Sequence, residues 1–192
     1  EMADRVANMS KVKLVSPEVL KELCETQTPQ GIVAEVAKQT QALPDSLSGK
    51  YLLLEDVQDP GHVGIMIRTA DAADYDWVFL SDKSADIYNQ KTLRSMQGSH
   101  FHLPIYRGPI LEMVETCKKQ DLPVLATTLS EVSVDYKAVK TDGNFALVMG
   151  NEGQGISKEM AESANQLVHI NMPGQAESLN VAVAAGILMF SL

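Results

Sequence analysis

From Lys50 onward the chain repeats one pattern: a short apolar run, a loop, then a stretch with helical spacing. The apolar runs are residues 51–54, 77–80, 124–127, 145–149 and 167–170, and each reads as a buried strand. Helix-patterned stretches lie at 63–73, 110–119, 157–164 and 179–192. Strands that alternate with helices predict an α/β fold with a mainly parallel sheet flanked by helices. The last helix follows a Pro-Gly turn, Met172-Pro173-Gly174, and then Ser178-Leu179-Asn180. Ser178 stands before the apolar run, which predicts it as the helix N-cap. A loop that stops at a helix N-terminus leaves backbone N–H groups free to face a ligand.

The region before Lys50 is patterned differently. Residues 1–15 are mixed. Ser16-Pro17-Glu18 predicts a helix start, with Ser16 as cap and Pro17 at the first helical position. Residues 26–31 break that helix, and 32–36 read as a short strand. Residues 39–49 contain Pro44, Ser46, Ser48 and Gly49 and read as a linker. The expected organisation is a small segment, 1–45, followed by one domain, 46–192.

The chain has 192 residues, 45% of them apolar, which is enough to bury a core. No apolar run reaches membrane-spanning length and the N-terminus carries no signal-peptide pattern, so no membrane partner is expected. Cys24 and Cys117 are isolated. They predict free thiols in a reducing compartment and a cytoplasmic protein. Net charge is −9. Residues 1–45 hold 5 Lys and Arg against 7 Asp and Glu, and residues 46–192 hold 11 against 18. Neither part is basic, so any nucleic-acid surface must be local.

In parallel sheets ligands sit beyond the carboxyl ends of the strands. Four loops stand out there: Glu55-Asp56-Val57-Gln58-Asp59-Pro60-Gly61-His62, the pair Thr127-Thr128, Gly150-Asn151-Glu152-Gly153-Gln154-Gly155, and the stretch from Asn171 to Asn180. The glycine-rich loop is neither GxGxxG nor a P-loop. It suits a tight strand-to-helix turn or a pocket wall with Asn151 and Glu152 as polar contacts. Arg68 fits a solvated helix face, or a guanidinium aimed at phosphate or a developing oxyanion. His62 has no second His or Cys at ligand spacing, so no metal is expected. His100 and His102 flank Phe101, and His169 reads as a satisfied core histidine. Gly-x-Ser-x-Gly is absent, which excludes a nucleophile-elbow hydrolase. A dinucleotide fingerprint is also absent after the first strand.

Three blocks carry a resemblance. They are Asp59-Pro60-Gly61-His62-Val63-Gly64-Ile65-Met66-Ile67-Arg68-Thr69-Ala70, Leu147-Val148-Met149-Gly150-Asn151-Glu152-Gly153-Gln154-Gly155-Ile156, and Ile170-Asn171-Met172-Pro173-Gly174-Gln175-Ala176-Glu177-Ser178-Leu179-Asn180-Val181-Ala182. In this order they resemble the SpoU (TrmH-like) family of RNA 2′-O-ribose methyltransferases, of the SPOUT class, over residues 50–192. The resemblance implies a deep C-terminal trefoil knot, S-adenosylmethionine as cofactor, an RNA substrate (ribosomal RNA preferred, tRNA the other option) and a homodimer. It places backbone at Gly150, Ile170, Met172 and Leu179 around the adenosine, with Thr127 and Thr128 beside it. Asn151, Gly155, Ser178 and Asn180 complete the cofactor side. Leu179, Val183, Ile187 and Phe190 supply an apolar stripe for the dimer. Residues 15–36 resemble the end of a small RNA-binding domain that precedes the catalytic domain in many members.

The reaction implied is direct displacement, in which a ribose 2′-hydroxyl oxygen attacks the sulfonium methyl. Catalytic roles fall to Arg68, Glu152, Ser178 and Asn180. A guanidinium holds its proton to a pKa above about 12, so Arg68 is read as a donor that stabilises alkoxide and binds phosphate, with the proton acceptor open. His62, Arg68, Arg94 and Ser95 form the substrate side. Two positions depart from the family pattern: His62 replaces an Asn, and Met96 replaces a Ser in Arg94-Ser95-Met96-Gln97-Gly98-Ser99. An alternative is a knotted RNA-binding protein that keeps the cofactor pocket but is catalytically weakened.

Overall fold

In the computed structural model the apolar runs become the centre of a seven-stranded parallel sheet. The structure describes residues 11–24, 28–38 and 42–192. The strands are β1 (Lys50–Leu54), β2 (Trp77–Ser81), β3 (Ile105–Gly108), β4 (Val124–Thr127), β5 (Val134–Asp135), β6 (Phe145–Met149) and β7 (Gln166–His169). Their order is β3-β2-β1-β6-β4-β7-β5, with every pairing parallel. Later strands therefore insert between earlier ones: β6 between β1 and β4, and β7 between β4 and β5.

All five residues of β6 are buried, and so are four of the five in β1. Continuous apolar sequence is what a strand covered on both faces requires. Alternate residues then serve two cores. Leu52, Leu54, Leu147 and Met149 face α2 (Pro60–Ala72) and α6 (Val181–Ser191). Tyr51, Leu53, Ala146 and Val148 face α4 (Ile110–Lys119) and α5 (Lys158–Ser163). Val63, Met66 and Ile67 of α2 are completely buried. Each such side chain contributes about 1.5–3 kcal/mol.

The short helix α3 (Gln90–Met96) lies against α2 with almost no gap. A Cβ on Gly64 would stand 2.6 Å from the Thr92 carbonyl oxygen and from Ser95 Cβ, so only glycine allows this approach. α3, β3 and β5 were not expected from the sequence. α3 buries only Thr92 and Met96, and β3 and β5 are half-buried strands, so none shows a clear apolar period.

Two compact units are present, Glu1–Thr40 and Gln41–Leu192. In the first, α1 (Pro17–Leu23) forms as expected, with the Ser16 hydroxyl accepting from the Val19 amide at 3.4 Å. The strand expected at 32–36 is absent: residues 32–38 are irregular, and Ile32, Val33 and Val36 are exposed. A strand needs a neighbour to satisfy its backbone, and the local β-favouring sequence does not supply one. Cys24 and Cys117 are free, and burial pushes the Cys117 thiol up to about 12. Among the described residues no helix is long and apolar enough to cross a membrane.

Candidate active site

Strand order reverses at β1, with β2 on one side and the inserted β6 on the other. Crevices at such switch points, at the carboxyl ends of the strands, are where open α/β sheets bind ligands. Three loops converge there.

The first follows β1. Asp56 takes a left-handed conformation (φ 55°) and exchanges two hydrogen bonds with Ser81: its amide donates to Oγ at 2.8 Å, and Oγ donates to its carboxylate at 2.7 Å. Asp59 caps α2, accepting from the His62 amide at 3.0 Å, with Pro60 in the first turn. Lys91 Nζ, 2.7 Å away, holds the Asp59 carboxyl below the usual carboxylate range.

The second follows β6. Asn151 and Gly155 exchange two backbone hydrogen bonds of 2.9 Å, which closes a hairpin. The Asn151 side chain is fully engaged: Oδ1 accepts from the Gly153 and Gln154 amides at 2.9 and 3.0 Å, and Nδ2 donates to the Asp56 carbonyl at 2.8 Å. Ser157 caps α5 and also donates, through its amide and hydroxyl, to both oxygens of the buried Glu55, at 2.9 and 2.6 Å.

The third loop, residues 171–179, follows β7. It makes no backbone hydrogen bond among the described residues. It ends at Asn180, whose Oδ1 accepts from the Ala182 and Val183 amides at 2.9 and 3.3 Å. Asn180, not Ser178, is the N-cap of α6. Both residue types cap well. The landing point of the β7–α6 loop decides between them, and Ser178 is left exposed two residues upstream.

Glu152 and His62 tie these loops together. The Glu152 carboxylate accepts from the amides of Asp59 (2.9 Å) and Gln58 (3.2 Å), which closes the first loop against the second. Its Oε1 meets His62 Nδ1 at 3.2 Å, and His62 Nε2 meets Asn180 Nδ2 at 2.9 Å. Partial burial pushes the Glu152 carboxyl up, but the backbone donors and the ring outweigh it, and it lies below the ordinary range. One side chain from each sequence block thus meets at a single point, across separations of 90 and 118 residues.

Other expected site residues lie apart from this point or are engaged otherwise. Arg68 is exposed, about 9 Å further along α2 than His62 by helix rise. It has no partner among the described residues. Arg94 is exposed on α3 and bonds Gln90. Ser95 Oγ donates to the Lys91 carbonyl. Thr127 Oγ1 donates to the Val148 carbonyl at 2.9 Å, and the Thr128 amide to the Val168 carbonyl at 3.0 Å. His169 is half-buried rather than in the core and pairs with Ser133 Oγ at 2.8 Å. His100 lies on a 3₁₀ turn, Ser99–Phe101, with His102 closing it. Among the described residues no group of His, Cys, Asp and Glu could hold a metal ion. Sequence reasoning missed Arg107, which donates to the carbonyls of Ser81, Asp82, Ser84 and Ala85 and so holds the loop after β2. An Arg in a half-buried edge strand gives no sequence signal of that role.

Residues 49–190 match the model of the SpoU rRNA Methylase family. The chain belongs to the SpoU rRNA methylase family. Residues 2–42 match a second model, RNA 2′-O ribose methyltransferase substrate binding. Among relatives of this SpoU chain is the 23S rRNA (guanosine(2553)-2′-O)-methyltransferase RlmP of Bacillus subtilis (strain 168), 42% identical over 93% of the chain and 71% of RlmP. The crystal structure of an AdoMet-bound rRNA methyltransferase from Sinorhizobium meliloti is similar with a TM-score of 0.71 and 37% identity. That match covers 74% of the SpoU chain and 55% of the Sinorhizobium chain. A putative RNA methyltransferase of the TrmH family from Porphyromonas gingivalis gives a TM-score of 0.80 at 27% identity, over 97% and 78% of the two chains.

The residues of this SpoU domain suit S-adenosylmethionine. The free backbone of residues 171–179 offers N–H and C=O groups that no strand or helix uses. Ile170 and Met172, at the start of that loop, are half-buried apolar side chains next to polar backbone, as a nucleoside ligand needs.

Proposed function

We propose that the protein is an S-adenosylmethionine-dependent RNA 2′-O-ribose methyltransferase with ribosomal RNA as its preferred substrate. The observation that carries this reading is the meeting of all three SpoU sequence blocks through His62, Glu152 and Asn180 at the sheet's switch point. The substrate-binding match over residues 2–42 and the resemblance to an rRNA methyltransferase support RNA as the acceptor. The alternative of a protein that no longer methylates drew on His62. The ring makes two hydrogen bonds inside the site, one to Glu152 and one to Asn180.

When bound, S-adenosylmethionine supplies a methyl group made electrophilic by its sulfonium. Backbone at Gly150, Ile170, Met172 and Leu179 would hold the adenosine, with Thr127 and Thr128 alongside. Asn151 and Gly155 keep the pocket wall in shape. Ser178, exposed and at the α6 end of the free loop, would help to position substrate and cofactor, together with Asn180 and Glu152. Arg68 acts as a hydrogen-bond donor that stabilises charge developing on the 2′-oxygen. Arg94 and Ser95 lie toward the RNA.

Residues 1–45 belong to an RNA-binding domain in this proposal, and 46–192 form the catalytic domain. A second copy covers the outer face of α6, where Val183 and Phe190 are exposed beside Leu179 and half-buried Ile187, and where Ile65 of α2 is also exposed. Insertion of β7 between β4 and β5 supports a knotted path for the C-terminal part. The site of action is the cytoplasm, where ribosomal RNA is handled.

The test is transfer of tritium from labelled S-adenosylmethionine to ribosomal RNA and tRNA, followed by nuclease digestion to locate the label on the 2′-oxygen. Label on neither RNA refutes the activity. Arg68→Ala should lower transfer at least about 100-fold, as loss of an oxyanion donor does, with cofactor affinity by calorimetry little changed. An unchanged transfer rate removes Arg68 from the mechanism.

A further inference from the structure

We propose that His62 is a positioning residue for methyl transfer: as a neutral Nδ1–H imidazole it locks Glu152 and Asn180 into one arrangement, and a proton on Nε2 releases Asn180. The proposal rests on the methyltransferase reading above and adds to it a specific device of this chain.

The donor and acceptor pattern determines the tautomer. Glu152 is ionised near neutral pH, because its carboxyl lies below the ordinary range, and it can only accept. Nδ1, 3.2 Å from Glu152 Oε1, therefore carries the hydrogen. On the other side, Asn180 Oδ1 already accepts the Ala182 and Val183 amides as the cap of α6. The side-chain amide cannot flip without losing that cap, so Nδ2 faces the ring as a donor. Nε2, 2.9 Å away, must then be the acceptor. A carboxylate on one ring nitrogen commonly decides the state of the other.

A proton added at Nε2 would set N–H against N–H at that distance. Asn180 would have to turn away from the ring or give up the α6 cap. Either change reaches residues 171–179, since Asn180 is the anchor at the end of that free loop. Among the described residues the charged groups facing the ring are few. Glu152 faces it from the β6–α5 loop. Asp59, on the ring's own helix, accepts the His62 amide and is neutralised by Lys91 of α3. From α6 comes only the uncharged Asn180. Protonation thus strengthens the Glu152 contact and breaks the Asn180 contact. An Asn in place of His62 would offer the same donor and acceptor pair without a titrating group.

The experiment measures kcat and KM for methyl transfer from pH 5 to 8.5 with wild type, His62→Asn and His62→Ala. Ring nitrogen NMR of the wild type, and calorimetry with S-adenosylmethionine, accompany it. Wild type should lose kcat by about tenfold per pH unit on an acidic limb that reports protonation of the ring. His62→Asn should be slower at pH 8 by less than about tenfold, with that limb absent; His62→Ala should be slower by more than about tenfold at pH 8, with the limb absent, the gap to wild type closing as pH falls, and cofactor bound more weakly. NMR should show hydrogen on Nδ1 and none on Nε2 at pH 8. The same acidic limb in His62→Asn, full activity in His62→Ala, or hydrogen on Nε2 overturns the proposal. Absence of transfer by wild type at every pH instead refutes the methyltransferase reading, and the NMR result then decides the lock by itself.

Discussion

The loops after β6 and β7 lie at the same end of the sheet and are built in opposite ways. In the loop after β6, the Asn151 side chain and the Asn151 and Gly155 backbones all bond within the protein. In the loop after β7, residues 171–179 keep their backbone groups free until Asn180 anchors the chain. The first loop is a frame that holds the ends of β1, β6 and α5 together. In the proposed function the second is the receptor. A ligand loop cannot satisfy itself internally and still offer its donors and acceptors, so the neighbouring loop has to carry the rigidity.

The contrast can be broken most sharply at the glycines. Gly150→Ala would place a Cβ 2.3 Å from the Gly155 carbonyl carbon, backbone against backbone. Urea denaturation should show a loss of about 3 kcal/mol, the upper end for overpacking. A loss below about 0.5 kcal/mol would mean that the first loop is not a rigid frame. Asn151→Ala removes three hydrogen bonds and should cost about 2 kcal/mol in the same measurement.

A smaller effect follows from pH. The folded-state pKa of Glu152 is lowered, so its contribution to stability is present above the unfolded value and is lost as pH falls through the depressed folded value. The melting temperature of wild type should exceed that of Glu152→Gln at pH 7, with the two converging below about pH 4. A difference that stays constant down to that pH would show that the carboxylate charge does not close the frame. The smallest effect belongs to Gly174→Ala, where nothing lies within 4 Å of the added Cβ. Stability should change by less than about 0.5 kcal/mol. Calorimetry with S-adenosylmethionine is the more telling measurement there: weaker binding sharpens the receptor assignment, and a large loss of stability contradicts it.

Much of the fold was legible because buried parallel strands read as continuous apolar runs. Residues 124–127 and 145–149 match β4 and β6, and 110–119 matches α4. Where burial is partial the signal fades, as in α3 and β3, and a β-favouring segment such as 32–36 is overruled for want of a partner. Within the candidate site, the sequence blocks marked the loops that the fold brings together but not how their side chains are used. Thr127 bonds a strand carbonyl, and Asn151 braces its own loop.

By itself, the sequence determined the alternation of strands and helices, the cap at Ser16, and the SpoU blocks in their order. These are local properties, set by side-chain volume, polarity and spacing along the chain. Only the tertiary structure decided that Asn180 rather than Ser178 caps α6, that Glu55 ties β1 to α5, and that His62 stands between Glu152 and Asn180. Those contacts span from two residues to more than a hundred. A hydrogen bond over such a separation exists only once β6 has been inserted beside β1 and the chain beyond β7 has been brought back to the same end of the sheet.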